Sequence, residues 1–231
     1  SCKGTIPSQN RVFQKAPSRV LVFRHLETVS IQLEELADLS QGIIVYKTRE
    51  DRKKGYIAQE EKTGEEWKPS CGGSDLERYA ILPDGTSVKY GEWLWCPRDP
   101  KYFTSEKLLF QRIRNPSLSR KLLFAYDDGE LYNRHTLSNL ILRDATEVSI
   151  FYLLALLNSH LLNEFYRTKF SDVEIRLSNV RSLPIRRIDF TTPADERERL
   201  LAAATTEATE WIEATEKGSV KSVKSVLGKR S

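Results

Sequence analysis

Between Val148 and Tyr166 the chain reads VSIFYLLALLNSHLLNEFY, apolar on almost every side of a helical wheel. A helix with no polar face has nothing to offer water, so it has to be buried on most of its sides. Its longest unbroken apolar run, Ile150 to Leu157, falls far short of the roughly 20 residues a spanning helix needs. Asn158, Ser159, His160 and Asn163 follow at once, so the segment belongs in a protein core and not in a bilayer.

Other segments carry strand and turn patterns. Ser30 to Leu39 reads as a short helix or the approach to one, broken by Ser40-Gln41-Gly42, and Ile43 to Tyr46 has strand character. The run KTREDRKK from Lys47 to Lys54 is an exposed loop by its charge. Pro83-Asp84-Gly85 and Asp127-Asp128-Gly129 signal turns between strand-like runs. In KLLFQRIR, Lys107 to Arg114, period two puts Leu108, Phe110, Arg112 and Arg114 on one face. A last helix is marked by Thr192 as cap, Pro193 at the first position and acids Asp195 and Glu196 near the positive end. Its stripe is Leu200, Ala204, Ala208 and Trp211, and Gly218 ends it.

Charge separates a basic face from a misleading total. Lys221, Lys224, Lys229 and Arg230, with no acid beside them, account for the whole net charge of +4. They lie in a Ser/Val/Lys tail expected to be disordered. Within the body, residues 101 to 124 hold six basic side chains against Glu106 alone, whereas 191 to 217 are acidic. Such asymmetry suits a one-sided basic surface. Three scattered cysteines without a CxxC pair, and three distant histidines, show no metal-ligand spacing and fit a reducing cytoplasm. No methionine occurs, so the chain is expected to be a piece of something longer.

Catalytic motifs are missing. There is no GxGxxG, no GxxxxGK[ST] and no GxSxG. Asn115-Pro116-Ser117-Leu118 lacks the second proline and the aromatic of an amine-methylating loop. Pro83-Asp84 lacks the downstream Asp/Glu-x-Lys that would complete a magnesium nuclease centre. No catalytic, cofactor or metal residue is therefore assigned, and a nuclease hidden in the fold ranks last.

Five landmarks in order resemble one family. Trp67 to Tyr79, WKPSCGGSDLERY, is similar to a G-x-D-I-x-R-Y signature through Gly73, Asp75, Leu76, Arg78 and Tyr79. Ser40-Gln41-Gly42-Ile43 looks like its opening Gly-Ile turn, and Glu106-Lys107-Leu108-Leu109 with Arg112 like its basic strand. Leu153 to Ser159, LLALLNS, and Ser182-Leu183-Pro184-Ile185 complete the set. Together they resemble the TaqI-like C-terminal specificity domain of adenine-specific DNA methyltransferases and restriction-modification enzymes.

The resemblance implies a mixed α/β (α+β) fold of twisted, largely antiparallel strands with a buried helix and a C-terminal helix. It divides the chain into a junction to a missing catalytic domain (1–35), a target-recognition domain (36–190), a C-terminal helix (191–217) and the basic tail (218–231). The implied partners are double-stranded DNA and a methyltransferase domain or subunit, which would carry the S-adenosylmethionine. The implied function is sequence-specific reading of bases beside a flipped adenine, in restriction-modification or phage defence. The alternative is a protein-docking module using the final helix around Trp211.

Readers of DNA combine cations on phosphates with side chains that reach base edges. Arg112 and Arg114 are a candidate fork, unless one pairs with a carboxylate to brace the sheet. Asn133, Arg134 and His135 are a candidate hydrogen-bonding loop or a satisfied turn. Lys101, Arg120 and Lys121 are phosphate candidates or solvated surface. Asp75 and Arg78 are expected to be structural, as turn acceptor or ion pair. Asn158 and Ser159 are expected to satisfy nearby backbone groups, and the tryptophans to lie in the core, with Trp93 beside Gly91 open to exposure.

Overall fold

The computed structural model describes residues 18–114, 118–144, 146, 148–186, 193–200, 202, 203, 206 and 209. Helix α1 (Ser18–Thr28) leads into strand β1 (Ser30–Gln32), a single helical turn α2 (Leu33–Leu36) and strand β2 (Ala37–Gln41). Strands β3 (Ile57–Ala58), β4 (Trp67–Cys71) and β5 (Ser87–Lys89) follow. Next come the turn α3 (Lys101–Thr104) and strands β6 (Lys107–Gln111), β7 (Phe124–Asp127), β8 (Tyr132–Asn133) and β9 (Leu137–Leu142). Helices α4 (Ile150–Leu157), α5 (His160–Lys169) and α6 (Leu177–Arg181) precede strand β10 (Pro184–Arg186).

Among the described residues the strands form two four-stranded sheets and one pair. The larger sheet runs β2-β9-β6-β7, antiparallel throughout. The smaller runs β3-β5-β4-β8 and is antiparallel except where β4 meets β8. Strands β1 and β10 pair antiparallel by themselves. The fold is thus mixed α/β with mainly antiparallel strands.

Strand β6 shows why KLLF is apolar without alternation. Leu108 and Phe110 join the core that includes Leu153, Leu154 and Leu157 of α4 and Phe165 of α5. Leu109 points the other way, into a cluster with Cys71, Leu76, Ala125 and Leu137. A strand covered on both faces needs apolar residues at every position. A third cluster, around Ile43, Val88, Phe103 and Tyr132, underlies the smaller sheet. Lys107 is also buried there, at 0% exposure, opposite Asp127 in the β6–β7 register. Its ammonium pairs with the Asp127 carboxylate and donates to the Phe103 carbonyl at 2.9 Å.

The expected single helix from Val148 to Tyr166 is two helices. Asn158 caps α4, and its side-chain amide accepts from the Phe124 N–H at 3.0 Å and donates to the Phe124 carbonyl at 2.9 Å. Ser159 then opens α5 by accepting from the Leu162 N–H at 3.2 Å. Asn163 repeats the device, its Oδ1 accepting from the N–H groups of Lys121 (2.7 Å) and Leu122 (3.0 Å). Buried backbone groups must be paired, and the two asparagines pair those of Phe124 at the start of β7 and of Lys121 and Leu122 just before it.

The expected helix from Ser30 to Leu39 is a strand, one helical turn and a second strand. Its ends are claimed by β10 and β9, and that pairing overrides a weak local preference. Ile43 and Ile44 make single bridges, to Arg134 and Cys96. After Pro193, residues 194–200 are helical. Thr192, Trp211, the basic tail and the first seventeen residues lie outside the described residues. Among the described residues no helix is long and apolar enough to cross a membrane.

Candidate nucleic-acid interface

An open groove of about 820 Å³ runs between two walls built from distant parts of the chain. One wall is the segment from Ile44 to Arg52 with Ile57 and Gln59; the other is Gly72 to Ser74 with Arg134, His135 and Thr136. Arg49, Arg52, Arg134 and His135 line it, and among the described residues no Asp or Glu does.

The first wall owes its charge to how KTREDRKK folds. The run closes into a short 3₁₀ turn, Glu50–Lys54, ended by Gly55 in the left-handed region (φ 67°). The Asp51 carboxylate accepts from the Thr48 N–H and hydroxyl, each at 3.0 Å, and pairs with Lys54 at 2.9 Å. Those contacts, the Lys54 ammonium first, hold its carboxyl down at about 2. With Asp51 turned onto its own turn, Arg49 and Arg52 are left exposed at the groove.

The second wall is clamped by backbone. The Ile43 N–H donates to the Asn133 carbonyl (2.9 Å), the His135 N–H to the Ile43 carbonyl (2.9 Å), and the Arg134 N–H to the Cys71 carbonyl (3.0 Å). Gly42 is required by this crossing, since a Cβ there would sit 2.4 Å from the Arg134 carbonyl oxygen. Asp75 accepts from the Gly72 N–H at 2.7 Å and stands 3.9 Å from the Arg134 guanidinium. Gly73 donates to the Thr136 hydroxyl at 3.0 Å and accepts from the Gln111 amide. Arg78 lies over the ring of Tyr79, a residue at φ 72° whose N–H reaches the Phe124 carbonyl at 2.9 Å.

Of the sequence candidates, Arg134 and His135 line the groove. Arg112 touches it indirectly, donating to the His135 carbonyl at 3.0 Å while pairing with Glu174. The pictured fork is corrected: β6 ends at Gln111, and Arg114 turns back to donate to Gln111 at 2.9 Å. Both arginines brace the fold, so replacing them is no clean test of binding. Lys121 is buried, its ammonium bonded to the Asp172 carbonyl, and cannot meet a phosphate. Asn133 is fully buried, facing away from solvent. Arg120 donates to the Asn158 carbonyl at 3.1 Å, and Lys101 stands 3.9 Å from Asp38; neither lines the groove. Trp95 is 54% exposed, against the expected core placement, and Trp93 is 42% exposed.

Arg49 and Arg52 were hidden in the sequence by their own neighbours. KTREDRKK shows mixed charge, and the bonds that tie Asp51, one of its two acids, to Thr48 and Lys54 form only in the folded turn. Asp84 of the Pro-Asp pair accepts from the Thr86 N–H at 2.9 Å, closing its turn. Among the described residues no group of His, Cys, Asp and Glu is arranged to hold a metal.

His135 is the titrating member of the groove. Partial burial, then the nearby Arg112 and Arg134, lower its imidazole below the ordinary value. It is therefore neutral at pH 7, and each proton it takes as pH falls adds a cation to the wall. Duplex affinity at a pH well below 6.5 should exceed that at pH 7, with a salt slope steeper by up to about 0.9 as the imidazole takes its proton. Fluorescence titrations at both pH values check this, and a His135→Gln chain that keeps the full rise would assign the effect elsewhere.

The model of the TaqI-like C-terminal specificity domain matches residues 68–185. No curated protein sequence matches the chain. Among solved structures, a chain from the assembly of the type I R-M system has 16% identity, covering 90% of this chain and 49% of that one, at TM-score 0.49. The type I restriction-modification S subunit from M. genitalium has 14% identity, covering 90% and 46%, at 0.46. The HsdS subunit from Thermoanaerobacter tengcongensis has 15%, covering 88% and 46%, at 0.40. The chain spans about half the length of these solved chains. The matched region begins in β4, includes the Gly73–Tyr79 signature and the Arg134–Thr136 wall, and ends in β10, just over half of the 231 residues. This chain belongs to the TaqI-like C-terminal specificity domain family.

Proposed function

We propose that this chain is the DNA target-recognition unit of a restriction-modification or adenine-specific methyltransferase system, reading bases beside an adenine that a catalytic partner flips out. The observation that carries the reading is the groove, without Asp or Glu among its described lining residues, where Arg49, Arg52, Arg134 and His135 stand among the hydrogen-bonding side chains of Thr48, Gln59, Ser74 and Thr136. Guanidinium groups neutralise phosphates and fix register, while Arg, Gln and His discriminate base edges. A base extruded from the duplex sits in an active-site pocket, and a recognition unit would grip the pairs that flank it. In this proposal the catalytic domain or subunit, with its S-adenosylmethionine, is that partner.

A docking module without base readout is favoured by one observation, the exposure of Leu21 (57%) and Val22 on α1. Salt separates the two readings. Each neutralised phosphate contributes a slope of about −0.9 in log K against log salt, so three arginine contacts predict about −2.7. Between 50 and 200 mM salt the affinity for a random duplex should then fall about fortyfold. Fluorescence anisotropy of the whole chain measures it, and a flat salt response would favour the docking module.

A further inference from the structure

We infer that Trp95 and Lys47, at the lip of the groove, form a stacking clamp for one unpaired nucleobase of the strand that leaves it. The inference rests on the recognition reading and extends it to a second kind of contact. Trp95 keeps more than half of its surface in water, and the Lys47 ammonium lies 4.5 Å from its ring centroid. The backbone beneath is pinned: the Trp95 N–H donates to the Val45 carbonyl at 3.3 Å, and Cys96 and Ile44 exchange both bonds at 2.9 and 3.0 Å. The indole is thus presented from a fixed frame and does not hang from a loose loop.

The same backbone is the groove wall. Lys47 sits between Tyr46 and Thr48, both of which line the groove. From Tyr46 an aromatic series continues outward, stacked on Tyr56 at 5.8 Å, with Tyr56 tilted on Trp93 at 6.4 Å. Among the described residues Lys47 has no carboxylate partner, and its ammonium lies against the Trp95 ring.

An aromatic face beside such an ammonium complements a nucleobase joined to its phosphate. The base stacks on the indole, and the ammonium turns from the ring to the phosphate. An apolar protein surface would cover the same ammonium without supplying an anion, which is costly. That asymmetry, with continuity to the groove, favours nucleic acid over a protein partner.

The test uses the whole chain with two short labelled duplexes, one fully paired and one carrying a single bulged 2-aminopurine. The intact chain should bind the bulged duplex more tightly and quench the probe. Trp95→Ala should lose about tenfold of that preference together with the quench, leaving the paired duplex bound as before. Trp95→Phe should retain most of both. The inference fails if the intact chain shows no preference, if Trp95→Ala keeps preference and quench, or if it weakens both duplexes equally. Arg49→Ala with Arg52→Ala reports on the groove separately, since it should weaken both duplexes together. A loss there with an unchanged Trp95→Ala chain overturns the clamp alone. An effect of Trp95→Ala without one at the arginines supports the clamp and overturns the groove.

Discussion

Replacing Lys107 with Met should cost the chain about 3–5 kcal/mol of stability, because it leaves the Asp127 carboxylate buried without its cation. In a domain of this size that corresponds to a fall in Tm of roughly 6–20 °C. The loss should depend on pH with a definite sign. Burial raises the Asp127 carboxyl above its ordinary range, while the Lys107 ammonium draws it back. Without that ammonium the folded chain holds the proton more tightly than the unfolded one. Stability is then regained as pH falls and lost as it rises through the folded value. Thermal unfolding by circular dichroism across pH 5 to 8 measures both effects. Pairing Lys107→Met with Asp127→Leu removes both charges and should recover most of the loss. A single variant within about 1 kcal/mol of the parent would mean that water reaches the pair.

The second large effect concerns binding. Arg49→Ala with Arg52→Ala should lower affinity for a random duplex by one to two orders of magnitude at low salt, and flatten the salt slope by about 2. Both side chains are exposed, and neither makes the contacts that hold the Glu50–Lys54 turn, so the melting temperature should stay where it was. An unchanged slope would remove this wall from the interface. The contrast with Arg112 is instructive, since its guanidinium is committed to Glu174 and the His135 carbonyl. Its removal would move the Arg134–Thr136 wall and confound binding with shape.

These two results would also explain why counting charge along the chain misleads. The basic stretch from Lys101 to Lys121 looks like one surface, yet Lys107 and Lys121 are buried and Arg112 is ion-paired. KTREDRKK, which carries acids among its bases, supplies two of the three groove arginines. Linear charge reports composition, whereas the fold decides which charges reach the groove: Arg49 and Arg52 exposed, Arg134 beside Asp75.

The landmarks behaved differently from the candidate readers. LLALLNS and SLPI lie where buried packing and backbone satisfaction demand particular residues: Asn158 pairs both polar groups of Phe124, and Leu183 and Ile185 are fully buried. Gly42 answers to a close backbone crossing. Such demands are local enough to leave a spaced pattern, and the pattern carried the family resemblance. The break between α4 and α5 was already present as Asn158-Ser159, though its cause lies in a strand far away along the chain.

By itself, then, the sequence determined the burial of Ile150 to Leu157, and its spaced landmarks carried the resemblance from which the family and the class of fold followed. The burial follows from a periodicity that leaves no polar face, and the landmarks from packing and backbone demands written in neighbouring residues; the two-sided coverage of KLLF appeared only in the fold. Only the tertiary structure decided which cations face the groove. That choice depends on Asp51 turning onto Thr48 and Lys54, on Glu174 reaching Arg112, and on Asp172 meeting Lys121. The last two join residues separated by some fifty or more positions, and no local pattern encodes them.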